Sequence, residues 1–201
     1  MHIARLTIDA HFCCMLSNEI KEATKVAHQQ LEKTVVQRLK EIRSAADYAS
    51  FLKVFYAYFR AVEQAIAPFV TPEVLPDYPQ RRNASYLRRD IEALGGGVDE
   101  LPEAVAPAIS NPAEAMGALY VLEGSIMGGP YIVQMLRKYG METGFSFFSG
   151  YGEETGSMWA AFTTALNATA QTDEAREAAI RKASETFSRF GNAFAGTVSE
   201  A

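Results

Sequence analysis

Apolar positions in this chain return every three to four residues, and no segment sustains the strict alternation of a half-buried strand. The first helix is expected to open at Ser17 or Asn18, with Glu19 in its first turn, and to run to about Glu41. Ile20, Thr24, Ala27, His28, Leu31 and Val35 fall on one side of it. Ser44-Ala45-Ala46-Asp47 reads as a capping box, and behind it Tyr48, Phe51, Phe55, Tyr58, Phe59 and Val62 make an aromatic stripe ending near Pro68. After a proline-marked loop (Pro72, Pro76, Pro79), a third helix over 81–94 carries Leu87, Ile91 and Leu94 and stops at Gly95-Gly96-Gly97. Asn111-Pro112-Ala113-Glu114 starts a fourth, expected to continue to about Tyr139 with Gly140 as its stop. A fifth spans about Ser157 to Asn167. Thr172 caps a sixth, with Phe187, Phe190 and Phe194 on one face. The pattern predicts an all-α single domain of about six main helices.

The fourth helix contains an anomaly. Gly124, Gly128 and Gly129 lie in its interior, where each glycine costs roughly 1 kcal/mol relative to alanine. Gly124 and Gly128 are one turn apart and share a face, which lets a flat ligand or another helix approach the backbone. Pro130 removes a donor just behind them, so a kink is expected there.

Composition narrows the function. The chain has 201 residues, 48% hydrophobic, with a net charge of −5. An acidic chain is a poor nucleic-acid partner, because phosphate binding needs a basic surface. No apolar run is long enough for a membrane span, and no secretory pattern is evident, so a cytoplasmic setting is expected. Residues 1–16 read as an N-terminal tail with no order of its own, and 17–201 as the helical domain. Cys13 and Cys14 are adjacent and poorly placed for a structural disulfide.

His28 is the one histidine on a predicted helix. Such a residue is usually a satisfied core histidine. Here Glu32, one turn on, could take the proton of one ring nitrogen and leave the other free for a metal. Lys21 and Lys25 precede it by two turns and one, either as solvated surface or as partners for an acidic ligand edge. No zinc cluster, di-iron pair, phosphate loop, dinucleotide fingerprint or serine elbow is present. A single axial histidine suffices where a macrocycle supplies the other ligands.

Ile20-Lys21-Glu22-Ala23-Thr24-Lys25-Val26-Ala27-His28-Gln29-Gln30-Leu31-Glu32 resembles the proximal helix of the haem oxygenase family. Leu122-Glu123-Gly124-Ser125-Ile126-Met127-Gly128-Gly129 resembles its distal helix, in the form of bacterial members including those associated with bacteriophytochromes. Phe147-Phe148 through Tyr151-Gly152 to Trp159 is also similar to the bacterial branch. The resemblance implies a fold that holds haem, substrate and cofactor at once, between two helices. It implies oxidative opening to biliverdin, with carbon monoxide and ferrous iron released, using O2 and an electron donor such as a ferredoxin or a reductase, and a bilin-binding phytochrome as a downstream partner. By position, His28 would be the iron ligand and Glu32 its partner. Lys21, Lys25 and Tyr120 would meet the propionates, with Thr24, Ala27, Phe187 and Phe194 lining the pocket. Gly124, Ser125, Gly128 and Gly129 would form the distal, catalytic face.

Two departures stand out. Ser125 takes the place of an aspartate found in the animal enzymes, and their basic residues on the next helix fall here near Trp159 and Thr163. Other readings are a haem carrier or sensor of the same fold, a haem-free relative such as a thiamin-pyrimidine hydrolase, and a helical interaction module. The second would need a core cysteine, whereas Cys13 and Cys14 precede the first helix.

Overall fold

The computed structural model describes residues 15–195, and all regular structure among them is helical. The tail, apart from its last two residues, and the Cys13–Cys14 pair lie outside the described residues. In chain order the helices are α1 (Leu16–Glu41), α2 (Ala45–Ile66), α3 (Ala84–Ala93), α4 (Pro112–Gly124), α5 (Gly129–Lys138), α6 (Thr155–Thr169) and α7 (Asp173–Ala195).

Local cap chemistry sets several boundaries where expected. The Ser44 hydroxyl accepts from the Asp47 N–H at 3.1 Å, and the Asp47 carboxylate accepts from the Arg43 N–H at 2.9 Å. Asn111 accepts from the Glu114 N–H, and Thr172 from that of Ala175. Gly95 and Gly140 take φ of 80° and 83°, the left-handed conformation that closes a helix.

Three boundaries differ, each for a tertiary reason. α1 starts ahead of Ser17: Leu16 is fully buried and its N–H donates to the Asn167 side chain at 2.9 Å, a cap supplied from α6. α3 begins at Ala84 rather than 81, because Asn83 caps it and Arg81 and Arg82 turn inward. The long fourth helix is interrupted. Ser125–Gly128 winds as a 3-10 turn, and Pro130 sits in the first turn of α5, where its missing N–H is not needed.

The core is built on α2. Phe55 packs against Phe51, Phe59, Phe147, Phe148, Phe190 and Phe194 at ring separations of 5.0 to 6.2 Å. α7 runs alongside α1 and also packs closely on α4, whereas α1 and α4 make at most marginal contact with each other. Gly117 makes the α4–α7 packing possible: a Cβ there would lie 2.2 Å from the Ala179 carbonyl oxygen. Gly117→Ala should therefore destabilise the fold by about 1–3 kcal/mol, against the usual gain of alanine in a helix. Thermal unfolding checks this; an unchanged or higher Tm would show that the helices separate freely.

Candidate functional site

α1 and α4 both pack on α7 and make at most marginal contact with each other. On the α1 side the His28 side chain is 52% exposed, and its ring lies 5.3 Å from that of Phe187 on α7. Lys21, Lys25, His28 and Glu32 form a continuous strip on α1, all exposed. Glu32 approaches His28 Nε2 at 3.8 Å, beyond hydrogen-bond reach. Thr24 is turned inward, with its hydroxyl donating to the Ile20 carbonyl, and Ala27 is half-buried against the core.

On the α4 side the glycines separate into two kinds. Gly129 is buried, and a Cβ there would meet the Phe148 carbonyl oxygen at 2.0 Å, so this glycine serves packing. Gly128 has nothing within 4 Å in that direction. Gly124 has only the Trp159 ring, at 3.8 Å. Tyr120, Gly124 and Gly128 therefore present one face of small or aromatic character, and Trp159 of α6 covers part of it, 5.4 Å from the Tyr120 ring. α6 reaches α1 through Asn167, whose side chain accepts from the Leu16 N–H.

Behind this face lies a buried polar network that sequence reasoning missed. Arg81 is 2% exposed. It donates to Glu123 at 2.6 Å, to both Asp77 oxygens at 2.8 and 2.7 Å, and to the Met158 carbonyl at 3.0 Å. Arg82 donates to the carbonyls of Leu122 and Phe147 and to the Ser125 hydroxyl, with its guanidinium 3.9 Å from the Phe147 ring centroid. Tyr151 donates to Glu123 and accepts from the Arg82 backbone N–H. Ser125 is thus held by Arg82 and by its own bond to the Leu122 carbonyl. The two arginines pin the end of α4, the 3-10 turn and the start of α6 in register. The available signals were weak: two adjacent arginines before a cap, and Glu123 as the one charge in an otherwise apolar stretch.

Burial pushes the Glu123 carboxyl above its ordinary range, against the pull of Arg81 and Arg82. Desolvation pulls Arg82 down to about 10, so it remains a cation at neutral pH. Glu63 accepts from the Ala84 N–H at 2.8 Å and borders a cavity of about 240 Å³ with Tyr78, Arg81, Arg82 and Leu122. Burial raises its pKa from 4.5 to about 7, with Ala84 and Arg82 opposing. A raised carboxyl favours the fold when protonated, and this contribution is lost as pH rises from about 4.5 through about 7. Glu63→Gln keeps an acceptor for Ala84, so its stability relative to wild type should climb across that window and level off above it. Denaturant titrations at pH 4.5 and 8 check this; a pH-independent difference would mean that Glu63 titrates normally.

Phe194, the other expected pocket residue of α7, stands apart from His28. Phe194 is 1% exposed and packs on Phe51, Phe55 and Phe190, two turns beyond Phe187 and about 10 Å along α7. This end of the α7 face meets the aromatic core and a cavity of about 350 Å³ bordered by Arg38, Ile42 and Val54.

Known proteins match this architecture. The family model described as Heme oxygenase matches residues 14–196. A heme oxygenase of Xanthomonas campestris pv. campestris is 32% identical over 148 residues, 73% of this chain and 87% of that protein. The NO- and CO-bound heme oxygenase of Neisseria meningitidis superposes with a TM-score of 0.78 at 22% identity, covering 92% of this chain and 94% of the other. Heme oxygenase-1 of the cyanobacterium Synechocystis, in complex with heme, gives 0.71 at 17% identity, covering 90% and 91%.

Proposed function

The chain belongs to the haem oxygenase family and degrades haem to biliverdin, carbon monoxide and iron, and from that premise we propose how its own residues do so. Haem lies in the cleft between α1 and the α4 face, over Phe187. The observations that carry this placement are the half-exposed His28 imidazole beside Phe187 and the helix face left open at Gly128. His28 ligates the iron through one ring nitrogen. Glu32, 3.8 Å from Nε2 and one small rotamer change from hydrogen-bond reach, would accept from the N–H of the other ring nitrogen, holding the imidazole neutral and oriented. Lys21 and Lys25 attract the propionates from the α1 side. Haem supplies the iron at which O2 is activated.

The α4 face acts by shape. Gly124 and Gly128 bring the backbone close to the ring without a side chain to occupy the oxygen site. The Arg82–Ser125–Leu122 bonds fix the bend that aims this face. No carboxylic acid extends from it, because Glu123 is committed to Arg81 and Tyr151 on the opposite side. Protons therefore arrive through water ordered by backbone groups of the bend. A ferredoxin or a reductase supplies the electrons, and a bilin-binding phytochrome takes the biliverdin, in a cytoplasmic setting. These partners rest on the resemblance of the motifs to the bacterial branch. No helix among the described residues is long and apolar enough to cross a membrane.

Gly128→Leu tests the placement. A side chain there meets open space in the fold, so stability should hold or rise by about 0.5–1 kcal/mol. It would nevertheless enter the haem cleft and suppress biliverdin formation. Gly129→Ala should show the reverse emphasis, with a loss of stability from its clash with Phe148. Full turnover by Gly128→Leu, assayed with reductase, O2 and catalase, would place haem elsewhere.

A further inference from the structure

We propose that Asp90 of α3, whose hydrogen bonds all go to the loop between α5 and α6, is a positioning residue: by anchoring that loop it sets how closely the α4–α5 bend lies over the substrate. This rests on haem lying between α1 and α4. Asp90 is 4% exposed, and among the described residues no ion pair neutralises it. Its oxygens accept from the Ser146 N–H at 2.9 Å, the Ser146 hydroxyl at 2.7 Å and the Phe147 N–H at 2.8 Å. Bonds from backbone N–H groups to a carboxylate are about twice as strong as neutral ones, so this side chain grips the loop. On α2, the Tyr48 hydroxyl donates to the Gly144 carbonyl at 2.5 Å and fixes the same loop two residues earlier.

The loop in turn meets the bend at three points. The Phe147 carbonyl accepts from Arg82 at 3.1 Å, and the same guanidinium donates to the Leu122 carbonyl at 2.8 Å and the Ser125 hydroxyl at 2.7 Å. The Phe148 carbonyl oxygen is pressed on Gly129, 2.0 Å from where a Cβ would stand. Gly150 lies against the 3-10 turn, since a Cβ there would be 3.5 Å from the Ile126 Cβ. Consecutive residues thus carry the two sets of contacts: 146 and 147 are held by Asp90, while 147, 148 and 150 support the bend. Two of these supports are main chain, and close-packed main chain cannot shift without moving what rests on it. Without the Asp90 anchor the loop loosens, and the bend loses its support. A looser bend leaves room for water over haem and opens the ring to attack at more than one position.

The test combines amide hydrogen exchange with turnover in Asp90→Asn. Asparagine has the same shape, but its NH2 group faces a donor that the carboxylate accepts. In haem-free protein, exchange over residues 122–132, from the end of α4 into α5, should accelerate about 10-fold, with residues 20–32 of α1 unchanged. In the haem complex the Soret spectrum and haem affinity should match wild type, while kcat falls about 5-fold and the set of biliverdin isomers broadens. Ser146→Ala removes the hydroxyl contact alone and should show the same pattern at about 2-fold, which keeps the test intact if Asp90→Asn folds poorly. Uniformly faster exchange in every helix would make Asp90 a general support of the fold and overturn the proposal. So would a bend that exchanges as in wild type, or a loosened bend with unchanged kcat and isomers. Haem should slow exchange over 122–132 in wild type; no protection there would instead break the placement of haem, whatever Asp90→Asn does.

Discussion

His28→Ala is expected to abolish the imidazole-ligated Soret spectrum of the haem complex and to lower biliverdin formation by more than about 100-fold. Removing a partner that only orients a ligand typically costs about 10–100-fold, and loss of the ligand itself should exceed that. Glu32→Gln should accordingly fall within the smaller range. The described residues include no cluster of three or more His, Cys, Asp or Glu that could hold iron without the macrocycle. His28 is also half-exposed, so its truncation removes little core packing and should leave Tm nearly unchanged. Added imidazole should enter the vacated space and restore the spectrum together with part of the turnover. An unaltered spectrum in His28→Ala would assign the iron to another ligand.

Glu123→Ala should produce the largest loss of stability, about 3 kcal/mol, because it breaks a buried ion pair, leaving Arg81 with Asp77 as its remaining acidic partner and the Tyr151 hydroxyl without its acceptor. At about 2–4 °C per kcal/mol, Tm should fall by roughly 10 °C. Function should fall with it, since Arg81 also holds the Met158 carbonyl and Tyr151 would lose its acceptor. Replacing the pair as a unit, Arg81→Met with Glu123→Leu, should recover much of the stability, because neither charge is then buried alone. Recovery of stability without recovery of haem turnover would locate the function of the pair in aiming the α4 bend. A loss below about 1 kcal/mol in Glu123→Ala would mean that Asp77 alone satisfies the Arg81 charge.

The glycine run shows how far sequence reasoning reaches. Three glycines in a helix marked an unusual face, yet the sequence treated them alike. In the folded chain, Gly128 is open, Gly124 lies under Trp159 and Gly129 is pressed against the Phe148 carbonyl. Gly117, which no local feature singled out, carries the contact between α4 and α7. Phe187 and Phe194 likewise share one face by their spacing, but only the first meets His28.

The sequence by itself determined the helical class, the caps at Ser44, Asn111 and Thr172, and the strip Lys21–Lys25–His28–Glu32, because each depends on residues within one or two turns of each other. It also carried the two helix motifs that identify the family. Only the tertiary structure decided where α1 begins, how the α4 helix breaks, and that Arg81, Arg82 and Glu123 would be buried together. Those outcomes turn on partners tens of residues away, whose desolvation and hydrogen bonding exist only once the chain has packed.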